Sequence, residues 1–471
     1  MLRRLSRARD LPLHYVLGRA VEETLAPLIY LCARMRWPAA AALLLRASVR
    51  ILKPARPATG QTACHILLLS KAMVTEDVLA SFQDDARAGI ASVSRNSVKA
   101  LSRAFLPAHM DENNYVNVSA NDAARARAYR RFLVALWRRL DRRRHFDAVL
   151  TGNFAYFAER ELAGALEELG IPFSVIMKES IKNEGYQRFW TKVYRERRGP
   201  FTGRRILVYG ESERSVEIAS GIVAPERVTI TGMPRLDQVH RARRRAAAAG
   251  TQAAGPPGVL FFMFGPKAFN PVLIRNRSRW PYTRRKERID PQLDRLGWNR
   301  LVEQTQRAIH TLAIRHPDLH ITIKTKGAES DKDIAALEQL MGVDRLPENV
   351  RVVVGGSPQS LLFEHHVVCG FNSTSLLEAL AAGKPVVVPR YAEALEAEMQ
   401  PYLVDLEDAV EYAPSPEELV ALLARRARER LPPSATLPPA TVRVLDKWLF
   451  NSDGLAGRRV REAVLAEITN R

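Results

Sequence analysis

Cysteine is scarce in this sequence. Three cysteines, Cys32, Cys64 and Cys369, are spread over 471 residues. Their spacing forms neither a disulfide framework nor a pattern of metal ligands, and so few thiols suit a reducing compartment. We therefore expect a cytosolic protein.

The sequence also lacks an uninterrupted apolar run long enough to cross a bilayer. The nearest candidate, residues 20–51, is broken by Arg34, Arg36 and Arg46 and contains two prolines. It therefore has no clean stretch of about 20 apolar residues, and we expect neither a transmembrane helix nor a signal peptide. Two alternatives stay open for it: a helix lying on anionic lipid, or a helix packed on its own domain. Its apolar face consists of Val21, Leu25, Leu28, Ile29 and Cys32.

Signatures of nucleic-acid binding and of dinucleotide cofactors are missing. The chain has no zinc-finger spacing, no RNA-recognition signature and no G-x-G-x-x-G after a predicted strand. Acidic residues are in the minority: Lys and Arg outnumber Asp and Glu by 71 to 51, a formal charge of +20. This excess favours a polyanionic partner, such as nucleic acid, an anionic bilayer or a phosphorylated substrate. Because the cationic runs lie whole domains apart, we expect no nucleic acid; a dinucleotide-dependent oxidoreductase is also disfavoured.

What the sequence does contain is a regular alternation of short apolar runs with helical patterns. Its length and its 46% hydrophobic and 26% charged residues indicate a folded protein of two domains. Apolar runs rich in β-branched residues, separated by helices, are typical of parallel sheets covered on both faces. The predicted strands are residues 65–70, 91–94, 147–152, 173–178, 206–209 and 228–231 in the first half, and 259–264, 320–324, 350–354, 367–369 and 385–388 in the second.

These patterns predict an α/β fold with two doubly wound Rossmann-like domains, an N-terminal helical extension and a C-terminal helix. The stretch "RARRRAAAAGTQAAGPPG" is Ala/Arg-rich and then Gly/Pro-rich, the composition of a linker. The C-terminus, from residue 441, is expected to be helical. The expected division is residues 1–60 for basic amphipathic helices, 61–240 for the first domain, 241–258 for the linker, 259–430 for the second domain and 431–471 for the C-terminal tail.

A group of small polar residues follows a predicted strand in "GFNSTSLLEALAAGKPVVVPR", residues 370–390. Asn372, Ser373, Thr374 and Ser375 lie where ligands bind in open α/β sheets, beyond the carboxyl end of a strand. Ser373 is a good N-cap, so the residues could simply begin a helix. A helix N-terminus with hydroxyl groups can also bind a phosphate, and Glu378, one turn later, could accept hydrogen bonds from a ribose.

This segment resembles the donor-binding element of GT-B glycosyltransferases, in which a strand, a small polar turn and a Glu-bearing helix hold the nucleotide of an activated sugar. Other segments agree in order and spacing, among them "VYGESERSVEIASG", "VLFFMFG" and "ITIKTKG". The run "TGMPRLD", residues 231–237, is similar to one that closes the first domain in CDP-glycerol glycerophosphotransferases and surface-polysaccharide biosynthesis proteins. The resemblance covers about residues 206–390. It implies an acceptor-side first domain and a second domain that binds a nucleotide-sugar donor. It also implies that the C-terminal helix packs across both domains.

The resemblance also implies which residues bind the donor. Many relatives carry a His-Pro pair after the second strand of the donor domain, where this chain has "KTKG". Lysines at this position can neutralise donor phosphates, and an acidic sugar would gain from the same cations. The candidate donor-binding residues are Asn372, Ser373, Thr374, Ser375, Glu378, Lys324, Lys326, Gly265 and Arg235.

Glycosyl transfer further needs a carboxylate that deprotonates the acceptor. Lys178 and Glu179 follow a buried strand, and we predict Glu179 as the base with Lys178 holding it or binding an acceptor phosphate. A surface ion pair is the alternative. Asn153 is an acceptor-side candidate that could equally cap the next helix. Arg284 and Arg285 lie in a long Arg-rich loop that could clamp a phosphorylated or lipid-linked acceptor.

No metal or bound cofactor is expected. Asp331 and Asp333 form an Asp-x-Asp pair, but they open a predicted helix, and GT-B enzymes generally work without a bound metal. His365 and His366 precede a buried strand with no partner ligands in sequence, so we expect structural histidines. The nucleotide-activated sugar is expected as a co-substrate.

Three hypotheses remain open. The first is a glycosyltransferase, either cytosolic or peripheral on the inner face of the membrane. It would move a sugar from a CMP-, UDP-, GDP- or CDP-linked donor to a glycan or lipid-linked acceptor in surface-polysaccharide biosynthesis. The second is a CDP-polyol phosphotransferase or nucleotide-sugar epimerase of the same fold. The third is a nonenzymatic polyanion-binding protein, which the charge of +20 permits.

Overall fold

A computed structural model describes residues 13–111, 115–116, 118–142, 145–177, 181–250, 255–276, 286–288, 290–325, 335, 338–339, 345–354 and 358–469. Two open sheets account for nearly all of the strands in this part of the chain. Helices connect successive parallel strands, as a doubly wound fold requires.

The first sheet has seven strands in the order β1-β3-β2-β4-β5-β6-β7, with β1 antiparallel at one edge and the other pairs parallel. Its strands are β1 (Arg50–Lys53), β2 (Cys64–Ser70), β3 (Ala88–Ser94), β4 (Ala148–Thr151), β5 (Phe173–Ile176), β6 (Arg205–Val208) and β7 (Val228–Ile230). Its helices are α1 (Leu13–Arg34), α2 (Pro38–Ala47), α3 (Ala72–Phe82), α4 (Arg95–Arg103), α5 (Ala120–Asp141), α6 (Phe157–Glu168), α7 (Glu184–Val193), which continues as a π-helix (Tyr194–Arg198), and α8 (Glu211–Ala219).

Both faces of this sheet are buried, because apolar side chains occupy both alternating sets of positions along its strands. In β2, Leu67 and Leu69 face one core and Ile66 and Leu68 face the other. Helices α1, α2, α4, α5 and α6 supply residues to the first core, and α3 to the second. Two-sided burial explains why these strands read as continuous apolar runs.

The second sheet is parallel throughout, in the order β12-β11-β8-β13-β14-β15, and a separate two-stranded hairpin pairs β9 with β10. These strands are β8 (Gly258–Phe262), β9 (Ile274–Asn276), β10 (Lys286–Arg288), β11 (His320–Lys324), β12 (Val350–Val353), β13 (Val367–Cys369), β14 (Val386–Pro389) and β15 (Glu411–Ala413). The remaining helices are α9 (Leu236–Ala248), α10 (Pro291–Arg295), α11 (Asn299–Arg315), α12 (Gln359–Glu364), α13 (Thr374–Ala381), α14 (Pro416–Glu429), α15 (Pro439–Leu449) and α16 (Ala456–Thr469).

The C-terminal segment crosses from one domain to the other. Leu445 and Leu449 of α15 lie in the core of the second domain, whereas Val460 and Val464 of α16 lie in the core beside α3 of the first. The prediction that the C-terminal helices pack across both domains is therefore confirmed.

The run "TGMPRLD" holds this crossing segment in place. Gly232 has a φ of 85°, and a Cβ there would lie 2.6 Å from the carbonyl oxygen of Phe450, so a side chain would clash. The Asp237 carboxylate accepts hydrogen bonds from the backbone N–H groups of Ala456 (3.2 Å) and Gly457 (2.8 Å). Asp237 thus satisfies amides at the start of α16.

The predicted fold class, with its N-terminal helices and its C-terminal helix, is confirmed, and every predicted strand is present. Sequence patterns missed the strands β1, β9, β10 and β15, because none of them contains an apolar run of more than two residues. Helix α9 continues to Ala248 and so includes the first part of the stretch expected as a linker. No helix in the described part of the chain is long and apolar enough to span a membrane.

A buried ion pair closes the carboxyl edge of the first sheet. Arg235 donates from Nη1 to both carboxylate oxygens of Asp77, at 3.2 and 2.9 Å, and to the hydroxyl oxygen of Tyr209 at 2.9 Å. Tyr209 donates its hydroxyl to Asp77 at 2.7 Å. The side chains of Asp77 and Arg235 are 0% and 6% exposed, so neither charge has water as an alternative partner.

We predict that Asp77→Ala strongly destabilises the protein, because it removes the carboxylate that accepts two hydrogen bonds from the buried Arg235 guanidinium. Removal of one partner of a buried pair costs about 3–5 kcal/mol. Thermal unfolding should show a clearly lower midpoint for this variant. Asp318→Ala is the matched control, since Asp318 forms an exposed ion pair with Arg428 and should leave the midpoint unchanged. Equal midpoints for the two variants would contradict the prediction.

Candidate functional site

The candidate site lies at the carboxyl edge of the second sheet. Strand β8 lies between β11 and β13, with Lys324 opposite Phe262 and Cys369 opposite Phe261. Lys324 and Gly370 therefore end at the same level of the sheet, two strand spacings or about 10 Å apart. The polar turn and the end of β11 border one edge of the sheet.

Ser373 begins helix α13, as predicted. It has extended backbone angles, and its hydroxyl oxygen accepts a hydrogen bond from the N–H of Ser375 at 3.3 Å. Thr374 and Ser375, in the first turn, are half-buried. The eight-residue helix ends before Gly383, whose φ is 75°. The first turn of α13 therefore leaves backbone N–H groups without helical partners at the sheet edge.

Asn372 contacts the loop formed by residues 402–404. Its φ of 43° is in the left-handed region, which asparagine tolerates better than most residues. Its side-chain amide donates to the carbonyl of Tyr402 at 2.9 Å and accepts from the N–H of Val404 at 2.9 Å. Because both polar atoms have backbone partners, Asn372 positions the 402–404 loop against the turn. Its assignment to donor binding stays a prediction.

Lys324 is a buried cation. The residue is only 8% exposed, and its ammonium group donates a hydrogen bond to the carbonyl of Thr325 at 2.8 Å. Burial lowers the pKa of Lys324. Within the described ranges no carboxylate pairs with it, and the buried hydroxyl of Thr325 has no hydrogen-bond partner there. A buried charge without a counter-charge is costly, so this end of β11 favours an anion.

Glu378 faces the first domain across the cleft. Its Oε1 lies 3.8 Å from Nε of Arg235, and the residue is 4% exposed. Burial raises the pKa of Glu378, and the Arg235 charge opposes that rise. Its Oε2 has no hydrogen-bond partner among the described residues. Arg235, held by Asp77 and Tyr209, thus contacts the second domain, and one Glu378 oxygen is buried without a hydrogen-bond partner among the described residues.

Helix α7 also joins the domains beside the polar turn. Asn183 donates to the carbonyls of Tyr402 (2.7 Å) and Phe269 (3.2 Å), and Tyr186 donates to that of Asn270 at 3.1 Å. A cavity of about 400 Å³ opens next to these contacts. Its lining includes Glu184 and Gln187 from the first domain and Asn372, Arg390, Lys447 and Trp448 from the remainder of the chain.

Two further predicted residues lie in the described part of the chain. A Cβ on Gly265, which follows β8, would have no neighbour within 4 Å, so no protein contact requires glycine there. Asn153 follows β4 and is buried; its side chain accepts a hydrogen bond from the N–H of Ala155 at 2.8 Å. The N-cap of α6 is Tyr156, so the alternative that Asn153 caps this helix is wrong.

Sequence reasoning missed a cationic cluster at the carboxyl edge of the first sheet. Lys71 donates to the hydroxyl of Tyr156 at 2.8 Å, and the guanidinium of Arg95 lies 3.3 Å from the centre of the Tyr156 ring. Arg95 also donates to Glu159 at 2.5 Å, and burial raises the pKa of Glu159. The available signal was position, since Lys71 and Arg95 each directly follow a predicted strand.

Several predicted site residues lie outside the described residues: Lys178, Glu179, Lys326, Arg284 and Arg285, together with Asp331 and Asp333. Their roles stay predictions. Over the described ranges, no group of three or more His, Cys, Asp or Glu side chains is arranged to hold a metal ion. The prediction of structural histidines is confirmed: His365 is hydrogen-bonded to Leu361 and Thr322, and His366 to the N–H of Gly258.

Comparison with known proteins identifies no family by sequence. No family model and no curated protein matches the chain. Among solved structures, a UDP-GlcNAc 2-epimerase from Neisseria meningitidis bound to UDP-GlcNAc is 12% identical, with 86% of this chain and 100% of that chain covered and a TM-score of 0.45. The wall teichoic acid polymerase TagF is 8% identical over 97% of this chain and 98% of its own, with a TM-score of 0.46. Likenesses this distant identify neither the substrate nor the reaction.

We predict that Lys324→Met stabilises the free protein but weakens nucleotide binding at least about tenfold, because it removes a desolvated charge together with the anion's partner. Lys384→Met is the matched control. Lys384 is also desolvated, which lowers its pKa to about 8, but it precedes β14 at the opposite edge of the sheet. Calorimetric titration with nucleoside diphosphates should separate the two variants. Equal affinity in both would count against an anion site at Lys324.

Proposed function

We propose that this chain is a GT-B glycosyltransferase that moves a sugar from a nucleotide-activated donor, linked to CMP, UDP, GDP or CDP, to a glycan or lipid-linked acceptor in surface-polysaccharide biosynthesis. The observation that carries the proposal is the buried Lys324, without a carboxylate partner among the described residues, at the same sheet edge as the first turn of α13. We further propose a cytosolic location, from the few separated cysteines.

The donor phosphates would lie between Lys324 and the start of α13. Negative charge grows on the phosphate as the glycosidic bond to the sugar breaks, and fixed N–H groups and an ammonium stabilise that charge. The proposed hydrogen-bond donors on the turn are the backbone N–H of Thr374 and the hydroxyls of Ser373, Thr374 and Ser375. Lys326 is proposed as a second cation at the same strand end.

Glu378 would bind the ribose of the donor nucleotide. Its Oε2 has no hydrogen-bond partner in the described structure, and a ribose hydroxyl would satisfy it. Arg235 holds the opposite oxygen at 3.8 Å and is itself fixed by Asp77. In this proposal Arg235 orients Glu378 rather than contacting the phosphates.

The acceptor would approach from the first domain. Glu179, which follows β5, is proposed to remove the proton of the acceptor hydroxyl, with Lys178 orienting it or binding an acceptor phosphate. Lys71 and Arg95 lie after β2 and β3 at the same edge of the first sheet, where Lys71 adds positive charge and Arg95 is paired with Glu159. Asn153, Arg284 and Arg285 remain acceptor-side candidates.

The first experiment is a thermal-shift screen of the full chain against CMP, CDP, UDP, GDP and their sugar conjugates. One nucleotide should raise the melting temperature, because a ligand at 100 times its Kd stabilises the native state by about 2.7 kcal/mol. The double variant Ser373→Ala/Glu378→Ala should lose that shift. Ser415→Ala is the control, since Ser415 caps α14 in the same way, with its hydroxyl accepting from Glu418 at 3.2 Å. A shift retained by the double variant would refute the donor site.

We predict that Glu179→Gln lowers the rate of transfer by about 10²–10⁴ while leaving nucleotide-dependent stabilisation unchanged, because the amide cannot take the acceptor proton. Glu211→Gln, an exposed carboxylate in the first turn of α8, is the control and should transfer at the wild-type rate. The assay follows sugar transfer from the donor that the screen identifies. Turnover that survives in Glu179→Gln would remove Glu179 as the base. A phosphodiester product, or an isomerised nucleotide sugar formed without acceptor, would assign the chain to a polyol transferase or an epimerase.

A further inference from the structure

The inner faces of the two N-terminal helices pack into the core of the first domain. Ala26, Ile29 and Ala33 of α1 and Leu45 of α2 are buried in the core of the first domain. The predicted apolar face of α1 combined Leu28 with Ile29, but the structure separates them: Ile29 is buried and Leu28 is exposed. Helix α1 is therefore apolar on two faces, of which the core covers one.

The outer face forms an apolar patch, which we define as Leu28, Leu31, Met35, Trp37 and Leu43. These side chains are 46%, 53%, 50%, 55% and 56% exposed. Leu28, Leu31 and Met35 recur at the spacing of one helical stripe, and Trp37 lies at the turn into α2. Of the fourteen large apolar side chains that are exposed in the described residues, seven lie between Leu28 and Leu52. Such a concentration marks an interaction surface, whereas scattered exposed residues need no explanation.

The charges along the chain from residue 24 to residue 75 are of one sign, and the acids of α1, Glu22 and Glu23, precede this range. Residues 24–75 contain no Asp or Glu, and they contain seven basic residues, Arg34, Arg36, Arg46, Arg50, Lys53, Arg56 and Lys71. Arg34 and Arg36 are exposed beside Met35 and Trp37, and Arg46 is half-exposed one turn after Leu43. An apolar face with a tryptophan, flanked by arginines and free of acids, complements the interface of an anionic bilayer.

We infer that the outer face of α1 and α2 docks on an anionic lipid surface as a peripheral anchor. Leucine, methionine and tryptophan side chains enter the headgroup and upper acyl region, and the arginines contact lipid phosphates. The first domain then rests on the membrane through its N-terminal helices. The inference does not depend on the donor chemistry, because membrane binding is measured without nucleotide.

The test is co-sedimentation of the full chain with vesicles of phosphatidylcholine and phosphatidylglycerol in equal amounts, compared with pure phosphatidylcholine vesicles. The variant Leu31→Glu/Met35→Glu should bind the anionic vesicles at least about tenfold more weakly, since it loses apolar burial and adds two like charges to the lipid interface. Both positions are exposed, so the substitutions should not unfold the chain.

The control variant Ile314→Glu/Leu395→Glu places the same charges on side chains that are 60% and 64% exposed in the second domain. It should bind vesicles as the wild type does. Equal vesicle binding by both variants, or no binding of the wild type to anionic vesicles, would overturn the inference. Light scattering of the free chain supplies the other decisive outcome: a wild-type dimer that the patch variant converts to a monomer would make this face a contact between two copies.

Discussion

The interaction on which the candidate site depends is the buried contact between Arg235 and its carboxylate partners. Asp77 and Tyr209 hold the guanidinium from within the first domain, and Glu378 of the second domain lies 3.8 Å from its Nε. A buried charge restricts its neighbours strongly, because no water can replace a lost partner. Arg235 therefore relates the carboxyl edge of the first sheet to the first turns of α13, where the ligand is proposed to bind.

The segment that carries Arg235 also holds the C-terminal helix α16 in position. Asp237, two residues later, accepts from the first amides of α16, and Gly232 allows the backbone of Phe450 to approach closely. One short run thus connects the two domains and holds the helices that return to the first domain. A substitution there would alter domain packing and the donor cleft together, since both depend on the same few buried groups.

The second domain has a buried positive charge, that of Lys324, at the carboxyl edge of its sheet. Lys324 loses hydration without gaining a carboxylate in the described part of the chain, whereas Asn372 nearby is fully satisfied by backbone. Stability alone would favour an apolar residue at the end of β11. A group that destabilises the free protein and would be neutralised by an anion is what a phosphate-binding site requires.

The sequence by itself determined the two sheets, the N-cap at Ser373 and the structural histidines, because these follow from local periodicity and from residues within a few positions of one another. Only the tertiary structure decided that Arg235 pairs with Asp77, that the amide of Asn372 is used by residues 402–404, and that Lys71 and Arg95 meet at Tyr156. These contacts join residues far apart in the chain, and residue type alone does not specify which distant partner a polar group meets. The same limit applies to α1. Its sequence shows that the helix is apolar on two faces, but it does not show which of the two faces packs against the core.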